Sequence, residues 1–415
     1  MARVHVVGAG LAGLHAAVIL AGRGVPVVLS EATRQAGGRC RSYHDAVLDM
    51  VIDNGNHLVL SGNPAVARYL RAIGAQDRLT GPEEAAFPFF DLQRRRRWIL
   101  RPNDGPVPWW IMSSRRRVPE TRVADYLALI TLMRPHPGRR IDEVVSCHGV
   151  AWERLLRPLL VSILNTIPEE ASADLAGAVF RETLARGGRR SWPRIATPSL
   201  AAALVDPALD RLRRDGAQIR LGRPLRAVTT ERDRLSALLF DDGEQRLGPL
   251  DQVILAVPPW TATSLLPDLK VPDDFRAIVN AHFRVAPPAG APLMVGLIGG
   301  TAEWVFAFRD RLSVTVSAAD RLLDMDTATL TDILWHDVAV VHDLAAPVPP
   351  CRIVKEKRAT FAATPAQDAR RPAARTRLTN AFLAGDWTDT GLPATIEGAL
   401  RSGEKAAALA MAESS

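Results

Sequence analysis

The sequence predicts an α/β fold: a Rossmann-type dinucleotide-binding domain carrying an inserted α+β domain. Three observations predict it. A strand, a glycine-rich turn, a helix and a second strand fill the first thirty residues. A strand, a Gly-Asp pair, a loop and a helix close the chain some 340 residues later. At about 100–200 residues per domain, 415 residues are also enough for two to three domains.

The opening elements follow from their residues. Arg3 to Val7 alternates and is β-branched, as a short buried strand requires. Gly8-Ala9-Gly10-Leu11-Ala12-Gly13 follows, and Leu14 to Gly22 has helical composition. Val25 to Ser30 reads as the second strand, ending at Glu31 and Ala32. Gly8 allows the tight turn, Gly10 lets backbone approach a pyrophosphate, and Gly13 lets helix and strand pack closely. The helix N-terminus favours the anion. Glu31, 18 residues past the third glycine, would accept hydrogen bonds from the ribose hydroxyls and repel a 2′-phosphate, which selects FAD or NAD over NADP.

The next residues choose between those two. Gly37-Gly38-Arg39-Cys40-Arg41-Ser42 resembles the GG-R-x-R-S continuation of the amine oxidase/phytoene desaturase superfamily of flavoproteins. The resemblance implies FAD, with Gly38 and Arg39 along its phosphates and ribityl chain. Asp53-Asn54-Gly55-Asn56-His57 resembles that superfamily's D-x-G-x-H segment, which implies Asn54, Gly55, Asn56 and His57 beside the flavin. Near the other end, Phe382 to Ala384 reads as a strand, followed by Gly385-Asp386-Trp387 and by Gly391 to Gly403. This resembles the superfamily's strand–GD–loop–helix. It implies that Asp386 contacts the ribityl–pyrophosphate region. It also implies that the N–H groups near Thr395, Ile396 and Glu397 favour negative charge on the reduced flavin. Between the ends, Gly216 to Leu221, Val228 and Asp251 to Pro259 resemble the middle return to the same domain, with Val228 offering backbone to the adenine.

These matches make the FAD-binding domain discontinuous, at about 1–80, 205–265 and 370–415. The insertions, about 81–204 and 266–369, are expected to form the substrate domain. Val123 to Met133 and Trp152 to Leu164 read as helical, and Leu312 to Ser317 alternates like a strand.

The charge and cysteines narrow the function classes. The formal charge is +7, from four lysines against 48 arginines, which is a coding bias more than a binding signal. No motif of a nucleic-acid binder supports a nucleic-acid partner. Cys40, Cys147 and Cys351 are too few and too scattered for a disulfide framework or a metal site, which suits a reducing cytoplasm. No segment has the length and apolarity of a membrane span, and Val4 to Leu20 lacks the basic flank of a signal peptide. Residues 105–118 place Trp109-Trp110 beside Arg115-Arg116-Arg117, the chemistry of an interfacial anchor on the inner membrane face, although solvated arginines and core tryptophans read equally from the same run.

The interior distinguishes among flavoenzymes. None of the lysines, at 270, 355, 357 and 405, has the context of the amine-oxidase lysine. Pro158 to Ala173 resembles the "P-L-x-x-x-x-L-N-T-x-P-E-x-A-S-A" stretch of the squalene-associated FAD-dependent desaturases, and Lys355 to Pro365 resembles their late motif. That resemblance covers nearly the whole chain and implies hydroxysqualene dehydroxylation, with an isoprenoid substrate. Protonating the allylic hydroxyl and losing water gives a delocalised cation, which a hydride from reduced FAD converts to squalene. The protein then needs an apolar tunnel, a general acid and exclusion of water, with neither nucleophile nor metal. His57, Glu169, Glu170 and His148 are candidate acids, and Asn165 is a candidate for orienting the hydroxyl. No segment points to a particular electron donor. A carotenoid-type desaturase or other flavin oxidase is the competing enzyme class, and a flavin-free prenyl-lipid carrier is the competing binding class.

Overall fold

The computed structural model describes residues 2–345 and 347–413. A five-stranded parallel sheet runs in the order Gln218–Arg220, Val27–Ser30, Val4–Val7, Gln252–Leu255, Ala381–Leu383. Its inner strands are buried at every position, because both faces are covered and alternation would expose nothing useful. Helices Leu11–Ala21, Pro64–Ile73, Asp206–Arg214 and Ile396–Ala412 cover one face through Val4, Val6, Leu29 and Phe382. Helices Arg157–Leu164 and Ala173–Glu182 and the strands Leu225–Glu231 and Arg234–Phe240 cover the other through Val7, Val253, Leu255 and Leu383.

The first and last helices lie unusually close. A Cβ on Gly403 would stand 2.3 Å from the Ala12 carbonyl oxygen, and one on Gly13 would stand 1.9 Å from that of Gly8. Only hydrogen fits at either point.

A seven-stranded sheet is built entirely from residues 87–100 and 275–361. Its order is Cys351–Phe361, Phe275–Phe283, Leu312–Val316, Trp304–Ala307, Met294–Ile298, Phe87–Asp91, Arg96–Leu100. Strand alternation explains its two faces. Val279, Ala281 and Phe283 pack under helix Thr327–His342, whereas Asn280 and His282 turn the other way, onto Thr315 and Ser313. On the aromatic side Phe89, Trp98, Trp110, Trp304 and Phe306 form a separate cluster.

Several elements depart from the sequence reading. Val123 to Met133 is a 3-10 turn, Val123–Tyr126, followed by a short helix, Leu127–Leu132. Trp152 to Leu164 begins as a π-turn and becomes helix Arg157–Leu164, with Pro158 near its start. Proline lacks the N–H that would continue the earlier ladder, so the change of pitch falls there. Residues 193–205 pack with the first segment: Pro193–Ala196 pairs with Leu58–Leu60, and Leu200, Ala203 and Leu204 join the core over the parallel sheet.

Candidate active site

The glycine-rich turn forms a cradle open on one side. Gly8 has φ +106°, and a Cβ there would stand 2.3 Å from the Ala256 carbonyl oxygen. At Gly10 the opposite holds, since a Cβ would meet nothing within 4 Å. Gly10 caps helix Leu11–Ala21 without any side-chain bond. The first-turn N–H groups of Leu11, Ala12 and Gly13 therefore face the open side of the turn without a capping side chain. An uncapped helix N-terminus beside unfilled space suits a pyrophosphate. Glu31 stands at the end of the second strand, where its Oε2 accepts from Ala9 N at 2.8 Å and its Oε1 from Thr33 N at 2.9 Å. Ala32, next to it, is exposed. These residues fit FAD.

The two ends of the chain meet across this cradle. Gly38 lies over Gly10, with its position for a Cβ 3.4 Å from Gly10 Cα. Arg39 Nη2 donates to Asp386 Oδ1 at 2.6 Å, and Nη1 donates to the Ala359 carbonyl at 2.5 Å. One guanidinium thus joins the first, late and last motifs, which are 320 and 347 residues apart in sequence. Gly385 N donates to Ser402 Oγ at 2.8 Å, which holds the Gly-Asp turn against the last helix. Thr395 caps that helix by accepting from Gly398 N, with Ile396 and Glu397 in the first turn. Val228 sits in mid-strand opposite Leu238.

The side chain of Glu397 has a use that the sequence hid. It is 4% exposed, accepts from Ala65 N and Val66 N at 3.1 Å, and pairs with Arg401 at 2.7 Å. It caps helix Pro64–Ile73, whose own cap residue makes no such bond. Its carboxylate is committed to that helix and to Arg401, which leaves only its backbone for the flavin contact the sequence suggests.

Asn54, Gly55 and Asn56 rest on the seven-stranded sheet. Asn54 Nδ2 donates to Glu356 at 3.0 Å. A Cβ on Gly55 would stand 3.0 Å from Asn280 Nδ2. Asn56 Nδ2 donates to Thr315 Oγ1 at 3.0 Å, while its buried Oδ1 has no partner. A pocket opens beyond Asn56, lined by His57, Asp53, Ile195, Leu200, Phe306 and Phe308. Burial, reinforced by the Arg39 charge, pushes His57 down to about 4, so it is neutral at ordinary pH.

The other catalytic candidates lie elsewhere. Asn165 is 3% exposed, with φ +46° at the end of helix Arg157–Leu164. Its Nδ2 donates to Thr360 Oγ1 at 2.9 Å and to the Arg276 carbonyl at 3.3 Å, and its Oδ1 accepts from Ala318 N at 2.7 Å. Both amide hydrogens are taken, so Asn165 terminates the helix and ties it to the sheet rather than orienting a hydroxyl. Glu170 and His148 are exposed, and Glu169 lies 3.7 Å from Arg157. The two interior motifs dock on each other: besides the Asn165–Thr360 bond, Ala363 N donates to Thr166 Oγ1 at 2.8 Å and Ser172 N to the Ala363 carbonyl at 2.7 Å. Sequence reasoning gave no role to Asp53 or Asn280. The D-x-G-x-H spacing pointed to the first, and the strand alternation of 278–283 pointed to the second.

Trp109 and Trp110 part company. Trp110 is 6% exposed, edge-on to Tyr126, with ring centroids 5.1 Å apart. It is core, which corrects the reading of the pair as a joint anchor. Trp109 is 70% exposed, and Val107, Met112, Val123, Leu127 and Ile130 in the same stretch of chain are exposed as well. Among the described residues no helix is long and apolar enough to cross a membrane, and no group of His, Cys, Asp and Glu is arranged to hold a metal ion.

Residues 11–411 match the model of the flavin-containing amine oxidoreductase family. A hydroxysqualene dehydroxylase of Rhodopseudomonas palustris is 52% identical over 411 residues, spanning 99% of this chain and 98% of that protein. One from Zymomonas mobilis is 46% identical over the full length of both. Among solved structures, cyclohexylamine oxidase from Brevibacterium oxydans superimposes with a TM-score of 0.71 at 16% identity, covering 99% of each chain. A putrescine oxidase does so with a TM-score of 0.72, also at 16% identity and 99% of each chain. At that identity the two oxidases share the fold alone.

Proposed function

The chain belongs to the flavin-containing amine oxidoreductase family, and we propose that it is the enzyme that removes the allylic hydroxyl of hydroxysqualene reductively to give squalene. The single observation that carries this reading is the end-to-end match to hydroxysqualene dehydroxylases at 46–52% identity. That match includes the two interior segments that dock through Asn165, Thr166 and Thr360.

FAD supplies the hydride. The chain's own residues do the rest. The N–H groups of Leu11 to Gly13 and the open side of Gly10 take the pyrophosphate, and Glu31 takes the adenosine ribose. Arg39, fixed between Asp386 and Ala359, presents its charge and Gly38 its backbone along the phosphates. The N-terminus of helix Ile396–Ala412 favours negative charge at the flavin's pyrimidine edge. Ile195, Leu200, Phe306 and Phe308 give the pocket an apolar wall, which excludes water that would trap an allylic cation. The direct test uses anaerobically reduced protein mixed with hydroxysqualene. The flavin is expected to reoxidise while squalene appears in equal amount. If instead the oxidised protein desaturates phytoene or squalene, the carotenoid-type class replaces this one.

The substrate is a C30 isoprenoid that dissolves in lipid, and we infer that the protein works at the cytoplasmic face of the membrane without spanning it. What supports this is the exposed apolar group Val107, Trp109, Met112, Val123, Leu127 and Ile130. The exposed Arg115, Arg116, Arg122 and Arg134 stand in the same segments. Apolar side chains that enter the acyl boundary and arginines that meet anionic headgroups form the surface such docking needs.

A further inference from the structure

Removing a hydroxyl as water requires a proton at the moment the C–O bond breaks, and the groups that the sequence offered for this do not stand at the pocket in a usable form. Glu170 and His148 are exposed, Glu169 lies 3.7 Å from Arg157 and outside the lining of the pocket, Asn165 has no proton to give, and burial holds His57 neutral, at about 4. One carboxyl does stand there. We propose that Asp53 is the proton donor of the dehydroxylation, passing a proton from its Oδ2 to the departing hydroxyl; this rests on the hydroxysqualene reading above.

The geometry separates the two oxygens of Asp53. Oδ1 is committed: Ser42 Oγ donates to it at 2.5 Å and Leu200 N at 2.9 Å. Oδ2 accepts no hydrogen bond among the described residues. Its nearest charge is Arg311 Nη2 at 3.7 Å, beyond hydrogen-bond reach. Arg311 is only partly engaged elsewhere: Nη1 donates to Asp310 at 3.1 Å and the guanidinium lies 4.0 Å from the centre of the Phe308 ring, while Nη2, on the side of Asp53, makes no hydrogen bond among the described residues. The residue is 3% exposed, yet it lines the same pocket as His57, Phe306 and Phe308. A carboxyl with one oxygen fixed and the other unbonded in an apolar pocket has a defined place for its proton and a defined direction in which to give it.

Burial shifts Asp53 toward the protonated form. Burial pushes Asp53 upward, against the opposing pull of the Ser42 and Leu200 bonds and of Arg311. The other titratable groups around it do not reverse this. Cys40 is itself pushed up to about 12, and His57 and His282 are pushed down to about 4, so all three are neutral. Among the described residues Arg311 is the one charge facing it, at the distance given.

The step balances. The proton moves from Asp53 Oδ2 to the hydroxyl oxygen, and the C–O bond breaks with both electrons going to oxygen. Water departs, and the allylic cation left behind would be quenched by the hydride that FAD supplies when bound. Asp53 regains one proton from solvent per turnover. Phe306 lines the same pocket, and a ring face is a neutral stabiliser of a cation that cannot trap it covalently.

The decisive variant is Asp53→Asn, which keeps the shape and the Oδ1 acceptor but removes the acid. It is expected to retain FAD, read from flavin absorbance, and to retain the spectral change on adding hydroxysqualene. Single-turnover reoxidation of the reduced variant by hydroxysqualene should be slower by about 100-fold or more, the usual worth of a general acid. With the allylic chloride of the same skeleton, whose leaving group needs no proton, the variant should run close to the wild-type rate. A variant that is fast on the alcohol, or equally slow on both substrates, overturns the proposal. If Asp53→Asn does not fold, Ser42→Ala decides instead. Losing a bond to the charged form should move the alkaline limb of the wild-type rate profile to higher pH, and an unmoved limb overturns the assignment. Wild-type protein that reduces neither alcohol nor chloride fails at the level of the hydroxysqualene reading itself.

Discussion

Single residues in this chain often act over sequence distances of hundreds of positions. His282 acts over a shorter span, and with a measurable consequence. It is 0% exposed, its Nδ1 meets Ser313 Oγ at 2.7 Å, and its Nε2 has no partner. Burial, with the Arg311 charge nearby, holds its pKa at about 4, against 6.5 in an unfolded chain. The folded state resists the proton that the unfolded state accepts. The stability contribution is therefore complete above about pH 6.5 and is lost as pH falls toward about 4. Between pH 7.5 and pH 5, this one group should cost about 2 kcal/mol. Denaturant unfolding of wild type and His282→Asn at both values measures it, and equal acid losses in the two proteins would refute the assignment. Glu397 shows the limit of reading at this scale. The last-helix motif placed the residue correctly along the chain. Its carboxylate caps the N–H of Ala65, 332 positions earlier, and no local pattern encodes that contact.

Elements with a regular period were the more legible ones. The strand–turn–helix–strand at the start and the strand–Gly-Asp–helix at the end come out within a few residues of their expected bounds, because buried parallel strands and a glycine turn leave a composition signal. The stretch 105–134 has no such period. It is a chain of 3-10 turns and one short helix, so adjacent residues such as Trp109 and Trp110 have opposite fates. That difference turns the docking surface into a discriminating experiment. Trp109→Ser with Leu127→Ser should leave folding intact, since both side chains are exposed, and should weaken flotation with anionic liposomes. Each arginine near the surface adds roughly 1 kcal/mol, so raising the salt should weaken binding further. Trp110→Ser should instead cost about 3 kcal/mol of stability by emptying its site against Tyr126. Liposome binding unchanged in the exposed double variant would remove this segment as the anchor.

At the scale of the whole molecule, the two ends of the chain and the seven-stranded sheet converge on one cofactor cradle. Arg39 bonds to Asp386 and Ala359, Asn54 bonds to Glu356, and Gly55 packs on Asn280. The overall class was legible because the ends carry their signals locally. The docking of Pro158–Ala173 on Lys355–Pro365 was not, because each motif is recognisable alone while the bonds between them depend on the folded sheet. In the proposed placement FAD would bridge the same ends that Arg39 bridges, so its binding should stabilise chiefly the segments around 8–13, 37–57 and 385–398. Any ligand that binds only the folded state adds stability by mass action, and at a 100-fold excess over Kd the gain is about 2.7 kcal/mol. That gain should not be uniform. Hydrogen exchange on protein stripped of flavin should show faster exchange in those three segments. Val279 to Phe283 should stay protected, since its bonds lie within the sheet under helix Thr327–His342. Restoring FAD should reverse the difference in all three segments together. If only 8–13 responds, the cofactor is not the tie between the ends, and the Arg39–Asp386 pair alone holds them.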